Sequence, residues 1–307
     1  MNKKLLLFCI SFILIESFGS HLLGDDAGQK KLVLVAGRPS HPPRMHEHSA
    51  GMQLLDQCLK QQNLISSQVV LGGWPEDESI FDDADAVVFF MDGGRGHEVV
   101  KRRGSRLERI ERLVANGKGV GFMHFAVEVV PEQAGDHLKR WIGGHYEHEL
   151  SCNPIWTAKF DSLPEHPITR GVQPFSIQDE WYFNMRFVGD ISGNQPAQTE
   201  DLRFVPILIA SPSDAVRDGP YVYPQGPYPH IQVNKGRAET LLWTVERKDG
   251  GRGFGFTGGH FHDNWADQNF RKIMLNSFLW LAQVDVPERG VESKVTPEML
   301  NANLDKK

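Results

Sequence analysis

At 307 residues with 40% hydrophobic content, the chain can bury one large core or two small ones, which excludes a peptide, a fibre or a disordered tail. Its 33 Lys and Arg against 39 Asp and Glu leave a net charge of −6, and the basic residues are scattered, which argues against a nucleic-acid partner. With 23% charged and 10% aromatic residues, 30 Gly and 18 Pro, it reads as an ordinary globular enzyme or binding protein rich in turns.

Lys3 and Lys4, the apolar run Leu5 to Ile15, and the small residues Ser17, Gly19 and Ser20 form the pattern of a secretory signal peptide over residues 1–20. The run of about 11 residues is short of the roughly 20 that a spanning helix needs, so no stable membrane insertion is expected once it is removed. The mature chain then keeps only Cys58 and Cys152, too few for a disulfide framework.

Lys31 to Gly37 is an apolar run ending in Gly, the pattern of a buried parallel strand. A polar loop, Arg38 to His48, leads to a helix with apolar positions at Met52, Leu54, Leu55, Cys58 and Leu59. Ser67 to Leu71 and Ala86 to Met91 read as the second and third strands. A helix over Val99 to Ala115 follows, and Gly119 to Met123 is the fourth strand. This alternation predicts an open α/β sheet of doubly wound, flavodoxin-like type. Residues 143 to 203 are irregular; Phe204 to Ala210, Leu241 to Val245 and Gly253 to Thr257 read as further strands, then a helix from Ala266 to Leu281. One elaborated domain over 30–283 is expected, with 284–307 as a tail or short terminal helix.

In such a sheet the loops at the carboxyl ends of the parallel strands gather on one edge, where ligands bind. Those loops carry His41, His46 and His48 after the first strand, Asp92 and His97 after the third, and His124 straight after the fourth. Three His in eight residues suit a divalent ion, because neutral imidazole is a common ligand for first-row metals. A Gly-rich strand running into a helix makes an elbow that projects one side chain into the crevice, here His124. No Cys occupies that elbow, which argues against amide hydrolysis by a Cys–His pair.

Thr257-Gly-Gly-His-Phe-His-Asp-Asn-Trp265 repeats the device with His260 and His262. Gln178-Asp-Glu-Trp-Tyr182 sets Asp179 and Glu180 beside Trp181 and Tyr182, a combination suited to a sugar, whose hydroxyls bond to carboxylates and whose apolar faces pack on rings. Adjacent carboxylates among aromatics are expected to be partly desolvated, which would raise a carboxyl pKa toward the acid–base range. If the segment is extended, Asp179 and Glu180 point to opposite faces, so only one reaches the site.

Val35-Ala-Gly37 with its His loop, Gly121-Phe-Met-His124, His166-Pro-Ile-Thr-Arg-Gly171, Asp179-Glu-Trp-Tyr182, and Gly255-Phe-Thr-Gly-Gly-His260 before Trp265 together resemble the ThuA-like (trehalose utilisation) family over roughly Lys31 to Ala282. The resemblance implies a class I glutamine amidotransferase-like three-layer sandwich with a mainly parallel sheet and an elaborated C-terminal half. It also implies a small carbohydrate as partner, from disaccharide catabolism or 3-keto-sugar chemistry. The expectation is an exported enzyme, periplasmic or extracellular, acting as an isomerase, lyase or hydrolase on a glycoside or 3-keto-sugar; the other reading is a non-catalytic sugar-binding module. His41, His46, His48, His124 and His260 are the expected ligands of a divalent ion such as Zn or Mn, and no nucleotide cofactor is indicated. His124, Glu180 and, as its substitute, Asp179 are the expected catalytic groups. Asp92, His97, Trp181, Tyr182, His262 and Trp265 are expected to line the substrate site.

Overall fold

The computed structural model describes residues 28–189 and 191–306, so the expected leader over 1–20 lies outside the described residues. In chain order the main elements are β1 (Lys31–Ala36), α1 (His48–Lys60), β2 (Ser66–Val70), β3 (Ala86–Phe90), α2 (Ser105–Ala115), β4 (Gly119–Met123) and α3 (Asp136–Ile142). They continue with β5 (Gly144–His145), β6 (Ile155–Phe160), β7 (Phe175–Glu180), β8 (Arg186–Phe187), β9 (Ala197–Gln198), β10 (Leu202–Ala210), α4 (Asp214–Arg217) and α5 (Pro229–Gln232). The last are β11 (Glu239–Arg247), β12 (Arg252–Phe256), α6 (Gln268–Leu281) and α7 (Pro297–Asn301).

The central sheet runs β2-β1-β3-β4-β12-β11-β10-β9. Pairing is parallel from β2 to β12 and antiparallel from β12 to β9. The fold is therefore the expected three-layer α/β sandwich with a mainly parallel sheet. Period-two alternation places each strand residue on one of two cores. Leu32 and Leu34 join Val88 and Phe90 under α1 and α6, whereas Val33 and Val35 join Val87 and Phe89 under α2 and α3. Glycine makes room for a neighbouring ring inside the sheet: a Cβ on Gly121 would lie 2.4 Å from the Phe254 ring of the paired strand.

Two expectations are corrected, and of the two offered for the C-terminal segment, a tail or a short terminal helix, the structure has the helix α7. The helix expected from Val99 begins only at Ser105, because Arg102, Arg103 and Gly104 take left-handed backbone angles (φ 55°, 53° and 88°) and reverse the chain. The irregular stretch over 143–203 holds two small antiparallel sheets, β5 with β8 and β6 with β7, and β7 carries Asp179 and Glu180. Finally, residues 284–306 do not trail away from the fold. Helix α6 is buried on nearly every side, polar residues included, and buried polar groups need partners. The terminal segment supplies them: Lys272 Nζ donates to the Arg289 carbonyl at 3.0 Å, Arg271 Nε to Ser293 Oγ at 2.9 Å, and Asn276 Oδ1 accepts from Val291 N at 2.8 Å. Val286 and Val291 are buried beside them. Cys58 and Cys152 are both buried free thiols.

Candidate metal centre

Because β1, β3, β4 and β12 are parallel neighbours, their carboxyl ends share one edge, and the loops there converge. At the end of β4 the chain turns sharply: His124 has φ 51°, a strained value for a residue with a Cβ. A single 3₁₀ turn over His124–Val127 follows, where a helix was expected. Retained strain of this kind is a mark of functional sites. The loop after β1 makes a similar excursion at Arg44 and His46 (φ 66° and 47°). It is zipped to the loop after β12, His46 N donating to the His260 carbonyl at 3.0 Å and His262 N to the Arg44 carbonyl at 2.9 Å.

These backbones bring His46, His124, His260 and Glu180 into one buried cluster whose donor atoms all lie within 4.8 Å of one another. His46 Nε2 lies 3.0 Å from His124 Nε2 and 2.9 Å from His260 Nδ1. Glu180 Oε2 lies 2.6 Å from His260 Nδ1, 3.4 Å from His124 Nε2 and 3.9 Å from His46 Nε2. The far nitrogens fix the protons. His124 Nδ1–H donates to the Thr257 carbonyl at 2.8 Å, and His46 Nδ1 faces Asp92 Oδ1 at 3.4 Å. In the neutral rings both Nε2 atoms are then bare lone pairs pointing at each other and at a carboxylate. Such a set can hold a cation at its centre. Tetrahedral ligands about 2.0–2.2 Å from one ion lie about 3.3–3.6 Å apart, within the 2.6–3.9 Å spread of this set, so three imidazole nitrogens and one carboxylate oxygen suit a divalent metal, with Asp92 behind His46 to orient it.

The electrostatics agree with that reading. Burial pushes the Glu180 carboxyl up, but the His124, His260 and His46 rings outweigh it and hold it well below the usual carboxylate range. The upward shift expected for Glu180 is thus corrected: it is an anion among imidazoles. Burial lowers His46, but the Asp92 and Glu180 bonds outweigh it and raise its pKa. His124 is lowered, chiefly by burial. Burial would raise Asp92, yet the neighbouring His46, His48 and Ser40 bring it down to about 2.

The other expected site residues divide. Tyr182 stands in the cluster, its hydroxyl 3.2 Å from His124 Nε2. His41 stacks on His46, ring centroids 3.5 Å apart, and forms with His46 and Asp92 a second, outer group. His48 lies behind Asp92, Nε2 at 3.8 Å and Nδ1 at 3.2 Å from the Arg38 carbonyl, and is not among the four converging ligands. Asp179 sits behind the cluster: it accepts from Gly259 N (2.8 Å), His260 N (3.0 Å), Glu180 N (2.8 Å) and Asn264 Nδ2 (3.0 Å), which positions the His260 loop and leaves it no role as Glu180's substitute.

Four residues expected at the substrate are corrected. His97 is fully buried, with Nε2 on the Ala126 carbonyl and Nδ1 capping Val99 N. Trp181 and Trp265 are core rings with no exposure. His262 is buried and bonds the Leu300 carbonyl at 2.8 Å, holding the terminal segment. Each faces inward because its backbone turns the side chain from the crevice, which residue type alone does not disclose.

A cleft of about 340 Å³ opens over the cluster. Its wall holds two residues the sequence reading missed. Glu128 has a side chain only 16% exposed, and its carboxylate has no partner among the described residues nearer than His148 Nδ1 at 3.9 Å. Burial, then the nearby Glu180 charge, pushes it up to about 7. Asn153 donates from Nδ2 to Glu180 Oε1 at 2.9 Å and accepts at Oδ1 from Tyr223 N at 3.2 Å. Neither sits in a residue pattern that marks chemistry.

Residues 33–281 match the model of a family described as ThuA, trehalose utilisation. Among solved structures, a ThuA-like protein from Bacteroides uniformis is similar at 15% identity and a TM-score of 0.54, over 85% of this chain and 94% of that one. Another from Parabacteroides merdae is similar at 18% identity and a TM-score of 0.54, over 88% and 94%. At these identities the likeness is one of fold. No curated protein matches the chain.

Proposed function

The chain belongs to the ThuA family, and from that premise we propose that it is a metal-dependent enzyme of carbohydrate catabolism, exported from the cytoplasm, that acts on a glycoside or 3-keto-sugar by acid–base chemistry. The observation that carries the reading is the pair of imidazole lone pairs 3.0 Å apart at His46 and His124, closed by His260 and Glu180. His46, His124, His260 and Glu180 would hold the ion, and three nitrogens with one carboxylate suit Zn or Mn. When bound, a divalent ion supplies Lewis acidity to a sugar carbonyl or hydroxyl oxygen.

The chain's own groups would do the rest. Glu128 has a pKa raised to about 7, close to the operating range of a group that both takes and returns a proton. Its carboxylate would remove the acidic proton beside a keto carbon, and its neutral form would return a proton to a leaving oxygen. Tyr182, whose phenol is pushed well up by burial, stays protonated and would donate to substrate oxygen. Glu180, locked among three rings, would act as a ligand. This division suits isomerisation, elimination or hydrolysis at a keto-glycoside.

The test is an assay of the chain lacking residues 1–20 against 3-keto-glycosides and their parent sugars, with and without chelator. Turnover that chelation abolishes and Zn or Mn restores supports the reading. Sugar binding without turnover would replace it with the non-catalytic module, and a chain with no stoichiometric metal would leave His124 as a metal-free base. Export predicts a native N-terminus near Ser20 or His21, outside the cytoplasm; recovery of Met1 would overturn it.

A further inference from the structure

Among the described residues, few large apolar side chains stand exposed, and Val222 (44%) and Tyr223 (69%) stand together at the mouth of the cleft. Their loop is braced on both sides. Tyr221 is buried beneath it, its hydroxyl donating to the Arg217 carbonyl at 2.5 Å and its N–H to the Gln225 carbonyl at 2.9 Å. Val222 N donates to the Asn153 carbonyl at 3.3 Å, and Tyr223 N to Asn153 Oδ1 at 3.2 Å. Asn153 also donates to Glu180 Oε1 at 2.9 Å. One side chain therefore spans from the metal-centre carboxylate to the backbone under the exposed ring. Opposite, the His148 ring lies 5.9 Å from the Tyr223 ring, inclined by 37°.

We propose that Tyr223, with His148 beside it, is a second sugar subsite: a platform for the outer ring of a disaccharide whose inner ring occupies the cleft over the metal centre. The ligand chemistry follows from the surfaces. A pyranose offers one apolar C–H face and an equatorial rim of hydroxyls. Tyr223 presents a solvent-facing aromatic plane, which gains by covering such a face, while Glu128, Arg95 and His148 around the mouth accept or donate to hydroxyls. The cleft of about 340 Å³ runs from Glu180 and Tyr182 at its floor to Tyr223 and His148 at its mouth. The reacting ring would sit at the floor by Glu180, and the second ring at the mouth, where Tyr223 stands. Asn153 sets the distance between the two positions, so the pair of subsites selects for two linked rings over one.

The inference rests on the carbohydrate reading above, and its test separates the two. Calorimetric titration of the metal-loaded chain with trehalose and with methyl α-glucoside gives two-ring and one-ring affinities. Tyr223→Ala should weaken trehalose about tenfold, the worth of one stacked ring, while leaving the one-ring ligand within about twofold. Tyr223→Phe, which keeps the plane, should bind both as the unaltered chain does. The ring is exposed, so neither change threatens folding, and an unchanged thermal melt checks this. Equal trehalose affinity in Tyr223→Ala would overturn the subsite and leave the carbohydrate reading standing. An unaltered chain that binds neither sugar would overturn both.

Discussion

His46 and His124 point their Nε2 atoms at each other across 3.0 Å, and each ring has already committed its other nitrogen, to Asp92 and to the Thr257 carbonyl. Neither neutral ring can place a proton between them without giving up that bond. Without metal, the charge that reconciles them is a proton on His46, the one member of the pair whose pKa is raised, the Asp92 and Glu180 bonds outweighing its burial. Metal binding would displace that proton.

Elemental analysis of the purified mature chain is expected to find one divalent ion per chain, and His124→Ala should reduce it to background with the sheet intact by circular dichroism. His48→Ala should keep the metal, because its ring lies behind Asp92 rather than in the cluster. The same metal content in both variants would place the ion elsewhere.

Asp92 orients His46 without joining the four ligands. Outer partners of this kind are worth about 10- to 100-fold in metal affinity. Asp92→Asn should show a loss in that range when titrated against a competing chelator, while its melting temperature in saturating metal stays near that of the unaltered chain. Unchanged affinity would remove Asp92 from the centre.

Glu128→Gln tests the proposed proton carrier by two routes. Turnover should fall by about 10²-fold or more, with metal content unchanged. The stability effect has a definite sign. The folded carboxyl is raised from 4.5 to about 7, chiefly by burial, so there is no penalty below about pH 4.5, where both folded and unfolded chains are protonated. The penalty grows as pH rises toward 7 and is complete above it, at up to about 3 kcal/mol. Thermal melts should therefore show the variant more stable than the unaltered chain at pH 8 and equal to it at pH 4. Equal melts at both would mean the carboxyl is not buried as described.

Removing Asp179 should do more damage than its distance from the cleft suggests. Its carboxylate satisfies the N–H groups of Gly259, His260 and Glu180 and the Asn264 amide, and each buried donor left bare costs about 1–3 kcal/mol. Asp179→Ala is expected to lower the denaturation midpoint and to release the metal through His260. Asp179→Asn, keeping one acceptor, should fall between.

The parallel strands were legible because Leu32 to Ala36 and Ala86 to Met91 are unbroken apolar runs, as strands buried on both faces must be, and parallel strands bring their following loops to one edge. That was enough to gather the His41–His48 loop, His124 and His260 on one edge; Glu180, on β7 outside the parallel sheet, was favoured by the family resemblance. Choosing among His41, His46 and His48 needed the left-handed angles at Arg44 and His46, which no spacing rule encodes. Trp181, Trp265, His97 and His262 have the right chemistry and face inward. Glu128 looks unremarkable in Ala126-Val-Glu-Val-Val130, and only the fold buries it beside the cleft. The terminal segment did leave a trace: Arg271, Lys272 and Asn276 interrupt the mainly apolar run of α6, and such residues, once buried, need hydrogen-bond partners.

That terminal segment reaches past α6 to the first loop of the metal centre. Arg44 is tied to Asp263 and Asn301, the Leu300 carbonyl holds His262, and Asp305 N donates to Glu47 at 2.7 Å, one residue from His46. Residues 300–305 thus clamp the first loop that the candidate centre requires. However completely the sheet has formed, the first loop stays unclamped until residues 300–305 are seated on it. A cut after Pro297 would release the clamp from that loop while leaving every strand in place.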